Sequence, residues 1–120
     1  MKIYRQWEIW EVEWKHEDGT SKQRPALLIS DTNYNLMHDE LRFMKITNKE
    51  YRGYNYYCFS KDDPAFAITG LSKTCYLYPA LVQNISKKKI ISRRGCLNNL
   101  TKFAIDRTIK EICKNKHFPY

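Results

Sequence analysis

Residues 7–14 read Trp-Glu-Ile-Trp-Glu-Val-Glu-Trp. An extended backbone gathers Trp10, Val12 and Trp14 on one side and Glu11 and Glu13 on the other, because strand side chains alternate with a period of two. This predicts a strand with one face buried. A polar stretch over 16–21 follows, with Asp18-Gly19 as its turn dipeptide. Beyond it Ala26-Leu27-Leu28-Ile29 shows no alternation, the pattern of a central strand covered on both faces. A chain that begins this way must build a sheet packed on both sides.

The later elements follow from the same signals. Residues 41–47 and 54–59 read as strands, the second rich in aromatics, joined by a turn over 48–53. Residues 30–35 read as loop. Lys61-Asp62-Asp63-Pro64 is a turn, and 65–68 a short helix or irregular segment. Residues 75–78 and 81–85 read as two short strands, with Pro79 implying an edge or a bend. Asn98 or Asn99 suits the N-cap of a closing helix. In that helix Ile105, Ile109 and Ile112 form an apolar stripe, with Lys102, Asp106 and Lys110 outside it. Residues 117–120 read as a tail. The expected fold is mainly β with a C-terminal helix (α+β), a small bent sheet or partly open barrel forming a single domain over residues 1–120.

Twenty-one Lys and Arg against thirteen Asp and Glu leave a net charge of +8. A field of that sign favours a polyanionic partner, nucleic acid ahead of an anionic membrane surface. The nine tyrosines and three tryptophans suit half-buried strand faces, and such rings also stack on bases. No apolar run approaches a membrane span and the N-terminus lacks the apolar core of an export signal, so a cytoplasmic location with no membrane contact is expected. Cys58, Cys75, Cys96 and Cys113 show neither C-x-x-C spacing nor a nearby pair of histidines. They read as reduced, mostly buried thiols, and no metal or cofactor is expected.

Two residues stand out for chemistry. Arg24 precedes Pro25, which fixes its own φ and holds Arg24 extended, so the guanidinium projects from a rigid junction at the mouth of a strand. Thr47 closes the following strand. A planar cation and a hydroxyl brought together can hold and polarise a phosphate. Lys45, two residues before Thr47, shares its strand face. Lys22, Gln23, Arg42 and Arg52 flank the pair in sequence and are candidates for phosphate contacts. His16 lies in the loop leading to Arg24 and titrates in a useful range, although an exposed loop histidine is the plainer reading. His38 and His117 have less to recommend them. The basic run over 86–89 and Arg93-Arg94 suit general attraction or an acidic partner.

The order of these segments resembles the MazF/PemK family of toxin endoribonucleases from bacterial toxin–antitoxin pairs. The resemblance spans roughly residues 5–113. It runs through the Trp-Glu-Ile-Trp-Glu-Val opening, Arg24-Pro25-Ala26-Leu27-Leu28-Ile29-Ser30, the strand end Ile46-Thr47 and Gly70-Leu71-Ser72-Lys73. It continues through Ile85-Ser86-Lys87 and Arg94-Gly95-Cys96-Leu97. Trp7 stands where that family has a glycine, and 80–84 replaces a Asp-Gln-Ile-Arg-Thr segment that some members carry.

The resemblance implies a small SH3-like barrel of the CcdB/MazF kind, a homodimer, a cognate acidic antitoxin, and single-stranded RNA or mRNA as substrate. It implies that Arg24 and Thr47 are catalytic. Cleavage of this kind needs no metal. The substrate's 2′-hydroxyl attacks the adjacent phosphorus, leaving a 2′,3′-cyclic phosphate and a 5′-hydroxyl. A guanidinium with pKa above ~12 is a poor base near neutrality, so Arg24 is assigned to charge stabilisation and the base is left open. The alternative is a non-catalytic toxin or RNA-binding module on the same fold, such as a CcdB-like topoisomerase inhibitor acting by protein contact.

Overall fold

The computed structural model describes residues 2–112 and 114. Six strands, β1 (Glu8–Lys15), β2 (Ser21–Leu28), β3 (Glu40–Thr47), β4 (Tyr57–Phe59), β5 (Cys75–Ser86) and β6 (Ile90–Cys96), form one antiparallel sheet in the order β4-β5-β3-β2-β1-β6. Helix α1 (Thr32–Met37) lies between β2 and β3, a 3-10 turn spans Pro64–Thr69, and α2 (Asn99–Ile112) closes the chain. The sheet curls into a half-barrel with β4 and β6 as its edges.

Both faces of the sheet are packed, as the unalternating run in β2 predicts. Leu27 and Ile29 join Ile9, Met44, Ile46 and Leu77 beneath Ile105 and Ile109 of α2. Ala26 and Leu28 join Trp10, Val12, Trp14, Leu41 and Phe43 on the opposite face. Full burial of such side chains contributes about 1.5–3 kcal/mol each, so β2 anchors both halves of the core. Asn98 caps α2, its side-chain oxygen accepting the Thr101 N–H at 2.8 Å.

Several elements differ from the sequence reading for identifiable reasons. Residues 32–37 are helical rather than loop because the Asp31 carboxylate caps them, accepting the Asn33 N–H at 2.9 Å. The two short strands over 75–85 are one strand, β5, lying between β4 and β3. Its register against β3 jumps between Lys45↔Tyr78 and Met44↔Val82, so Pro79, Ala80 and Leu81 bulge from the ladder. A residue with no N–H is accommodated at such a bend, beyond Leu77 where the pairing of β5 with β4 ends. The aromatic strand begins only at Tyr57. Strand β6 was masked by its polar centre: Arg93 pairs with Glu8 at 2.6 Å and Arg94 with Glu11 at 3.2 Å, both across to β1. These two arginines therefore hold the sheet edge. Cys75 is buried but Cys58 is exposed; Cys113 and the 117–120 tail lie outside the described residues.

Two backbone positions are tightly constrained. Gly70 and Gly95 mark a close crossing of the 3-10 turn and β6. A Cβ on Gly95 would stand 2.2 Å from the Ile68 carbonyl oxygen, and one on Gly70 2.1 Å from that of Arg94. Trp7 adopts φ 72°, the left-handed region that glycine favours. Its N–H donates to the Leu28 carbonyl at 2.7 Å, and its ring packs against the α2-side core.

Candidate active site

The β2–β3 ladder pairs Leu28↔Phe43, Leu27↔Met44 and Ala26↔Lys45. It ends where Pro25 has no N–H to offer. One step on, Arg24 and Thr47 face each other on the side of the sheet that carries Ala26 and Lys45. Arg24 Nη1 donates to Thr47 Oγ1 at 3.4 Å. Arg24 therefore lies within β2 and not at its mouth. Its Nε is buried without a hydrogen-bond partner, and it makes no ion pair among the described residues. Thr47 is 3% exposed, and its oxygen also accepts the Lys49 N–H at 3.3 Å. With both acceptor sites engaged, the hydroxyl retains its proton as a donor.

This pair opens onto a groove of about 930 Å³ running between the β1–β2 turn, the turn over 48–53 and the β5 bulge. Its walls carry six basic side chains, Lys15, Lys22, Arg24, Lys45, Lys49 and Arg52, against three acidic ones, Glu17, Asp18 and Glu50. The excess positive field concentrates where a strand of phosphates would lie. Asp18 is held below its ordinary pKa by hydrogen bonds from Thr20, whose hydroxyl lies at 2.6 Å, so this carboxylate shapes the turn. From β5, Ala80, Leu81 and Val82 supply an apolar wall, and Gln83 ties it to β1 by exchanging hydrogen bonds with the Lys15 backbone.

Of the sequence candidates, His16, Lys22, Arg24, Lys45 and Arg52 all line this groove, with Thr47 contacting Arg24 behind it. Gln23 is exposed and points to the opposite side of β2, where alternation places it. Arg42 lies outside the groove, its Nε donating to Asn84 at 3.3 Å. His38 is remote, stacked on Tyr34 at 3.8 Å. Desolvation first, then the charges of Arg24 and Lys45, hold the His16 imidazole below its ordinary 6.5, against the opposing pull of Asp18. Near neutrality it is therefore a proton acceptor.

The sequence reading missed Tyr51. Its ring lies 4.9 Å below the Lys45 ammonium and 4.8 Å from the Tyr78 ring. Partial burial opposes its ionisation, but the Lys45 ammonium, the Thr47 hydroxyl and the charge of Arg24 outweigh that and lower its pKa. No local sequence signal marks it, since it sits in a turn among other tyrosines. Lys45 itself is 8% exposed and makes no ion pair among the described residues, an unusual state for a lysine. Among those residues no three of His, Cys, Asp and Glu gather as a metal-binding group, and no helix is long and apolar enough to cross a membrane.

The fold and site define a small half-barrel protein with a cationic groove built around an arginine–threonine pair. The chain belongs to the family of PemK-like, MazF-like toxins of type II toxin–antitoxin systems, whose family model matches residues 5–113. No curated protein matches the sequence significantly. Among solved structures it is similar to the Mycobacterium tuberculosis toxin MazF-mt6, with TM-score 0.71 and 15% identity over 92% of this chain and 99% of that one. It is also similar to an endoribonuclease from a mycobacterial species, with TM-score 0.70 and 13% identity over 99% and 98%. A third is a mycobacterial endoribonuclease in complex with its cognate antitoxin, with TM-score 0.69 and 11% identity over 90% and 92%. At these identities the likeness is one of fold.

Proposed function

We propose that this toxin is an endoribonuclease that cuts single-stranded RNA by attack of the substrate's own 2′-hydroxyl. The observation that carries the reading is the Arg24–Thr47 contact, made by an arginine that lines a groove with five other basic side chains. Family membership and the two endoribonucleases among the similar structures support it. The Arg24 guanidinium donates to the non-bridging phosphoryl oxygens as charge builds on them. Thr47 accepts from Arg24 Nη1 and so fixes the guanidinium toward that group. Neutral His16 takes the 2′-hydroxyl proton. Lys22, Lys45 and Arg52 hold flanking phosphates.

The products are a 2′,3′-cyclic phosphate and a 5′-hydroxyl, formed with no metal in any step. In its host the toxin is held in check by an acidic antitoxin, a cytoplasmic partner whose carboxylates occupy the groove in place of phosphates. The deciding experiment incubates the pure protein with a long RNA in EDTA and maps the ends. Cleavage with cyclic-phosphate termini is expected. Cleavage that stops in EDTA and returns with magnesium, or tight RNA binding with no cleavage at all, overturns the reading.

A further inference from the structure

Tyr51 and Tyr54 line the groove and pack with Tyr78, ring centroids 4.8–6.3 Å apart; Tyr76 lies beside Tyr56. Their hydroxyls are not equivalent. Tyr78 Oη donates to the Lys49 carbonyl and accepts the Tyr51 N–H, both at 2.8 Å, so it pins the 48–53 turn. Tyr76 Oη donates to Glu50 at 2.9 Å. Tyr78 is raised above the ordinary phenol value chiefly by burial, and Tyr76 chiefly by that bond to Glu50. Neither is suited to give up a proton.

Tyr51 is in the opposite situation. Tyr51 lines the groove together with His16, Arg24 and Lys45, and the Lys45 ammonium stands 4.9 Å over its ring. Burial opposes its ionisation, but Lys45, the Thr47 hydroxyl and the Arg24 charge favour it. Tyr78 packs against it from β5, Tyr54 from its own turn, and Glu50 precedes it in that turn. No carboxylate accepts its hydroxyl proton in an ion-paired or hydrogen-bonded contact among the described residues. A phenol carries its proton near neutrality, since its ordinary pKa is about 10. One whose conjugate base is stabilised gives that proton up more readily. His16, held neutral near pH 7, lines the same groove, so an imidazole that can take a proton and a phenol that can give one share it.

We propose that Tyr51 is the proton donor to the leaving 5′-oxygen in RNA cleavage. The proposal rests on the nuclease reading above. As the 2′-oxygen bonds to phosphorus and its proton passes to His16, the P–O5′ bond breaks. The electron pair of that bond goes to the 5′-oxygen, which takes the Tyr51 Oη proton. The phenolate left behind is held by Lys45 and Arg24 and regains a proton from water. Without this donor the leaving group is an alkoxide, a far poorer one than an alcohol.

The test compares Tyr51→Phe with the natural protein on one short RNA containing the mapped cut site, made with either oxygen or sulfur at the bridging 5′ position. A thiolate leaves without protonation. The variant keeps the ring against Lys45 and Tyr78 and loses only the hydroxyl. On the oxygen RNA its kcat should fall by roughly 10²- to 10³-fold, with KM changed by less than about twofold, as for a group acting only in the transition state. On the sulfur RNA kcat should stay within about threefold of the natural protein's, for the same reason. Because both substrates meet the same preparation, a partly unfolded variant would slow both equally. Equal slowing, or no slowing, overturns the role of Tyr51 while leaving the nuclease reading in place. A natural protein that cuts neither RNA overturns both.

Discussion

Arg24 and Thr47, 23 positions apart in sequence, meet through a 3.4 Å hydrogen bond where the β2–β3 ladder ends. The long bond leaves most of the arginine's donors uncommitted within a basic groove, as a phosphate-binding fork requires.

Arg24→Ala should lower the cleavage rate by roughly 10²- to 10³-fold, the scale on which a charge-stabilising donor acts. The fold should survive, because the residue makes no ion pair among the described residues and carries little of either core. Rates measured beside a thermal melt check both halves. Arg24→Lys should recover only part of the loss, since a point charge does not replace the planar fork.

The acidity profile reports on His16. A base works when unprotonated, so activity is present above its pKa and lost as pH falls through it. Desolvation and the nearby Arg24 and Lys45 charges lower that pKa. The acid limb of kcat/KM should therefore have its midpoint below 6.5. His16→Gln should slow cleavage and abolish the limb. A limb unchanged in the variant would move the base to another group.

Gly95→Ala should destabilise the protein by about 1–3 kcal/mol or more, the cost of forcing a methyl group into a packed crossing. The atom it meets is the Ile68 carbonyl oxygen, which belongs to the backbone and cannot rotate away. Gly70→Ala adds left-handed backbone strain of roughly 1–2 kcal/mol to a similar clash. Urea titrations of the two variants give the values directly. A midpoint equal to that of the natural protein would contradict the crossing.

The acidic antitoxin should displace a labelled, uncleavable RNA in parallel with its suppression of cleavage. Both affinities should weaken as salt rises, since exposed charges are screened beyond about 8–10 Å near physiological ionic strength. Simultaneous tight binding of RNA and antitoxin would rule out a shared groove.

Self-association is the remaining expectation. Leu100 and Phe103 on α2 are 80% and 73% exposed, and a second copy of the chain would cover them. Light scattering at micromolar concentration should show a dimer, and Phe103→Asp should shift it to monomer. A natural protein that is monomeric and fully active would contradict the homodimer.

The sequence alone determined the strand character of residues 8–15 and 26–28, the cap and buried stripe of α2 and the net charge, and it offered Arg24 and Thr47 as candidates. Each is written in local period, turn chemistry or residue type, which need no partner to be read. Tertiary structure decided the rest. Pro79 marks a bulge because the register of β5 against β3 jumps there, and Arg93 and Arg94 brace an edge because Glu8 and Glu11 of β1 lie within reach. Gly70 and Gly95 matter because two distant segments cross there. Tyr51 is set apart only because folding brings Lys45, Thr47 and Arg24 to bear on one phenol among nine. Proton affinity depends on what surrounds a group in space, and a turn of ordinary composition gives no local sign of those surroundings.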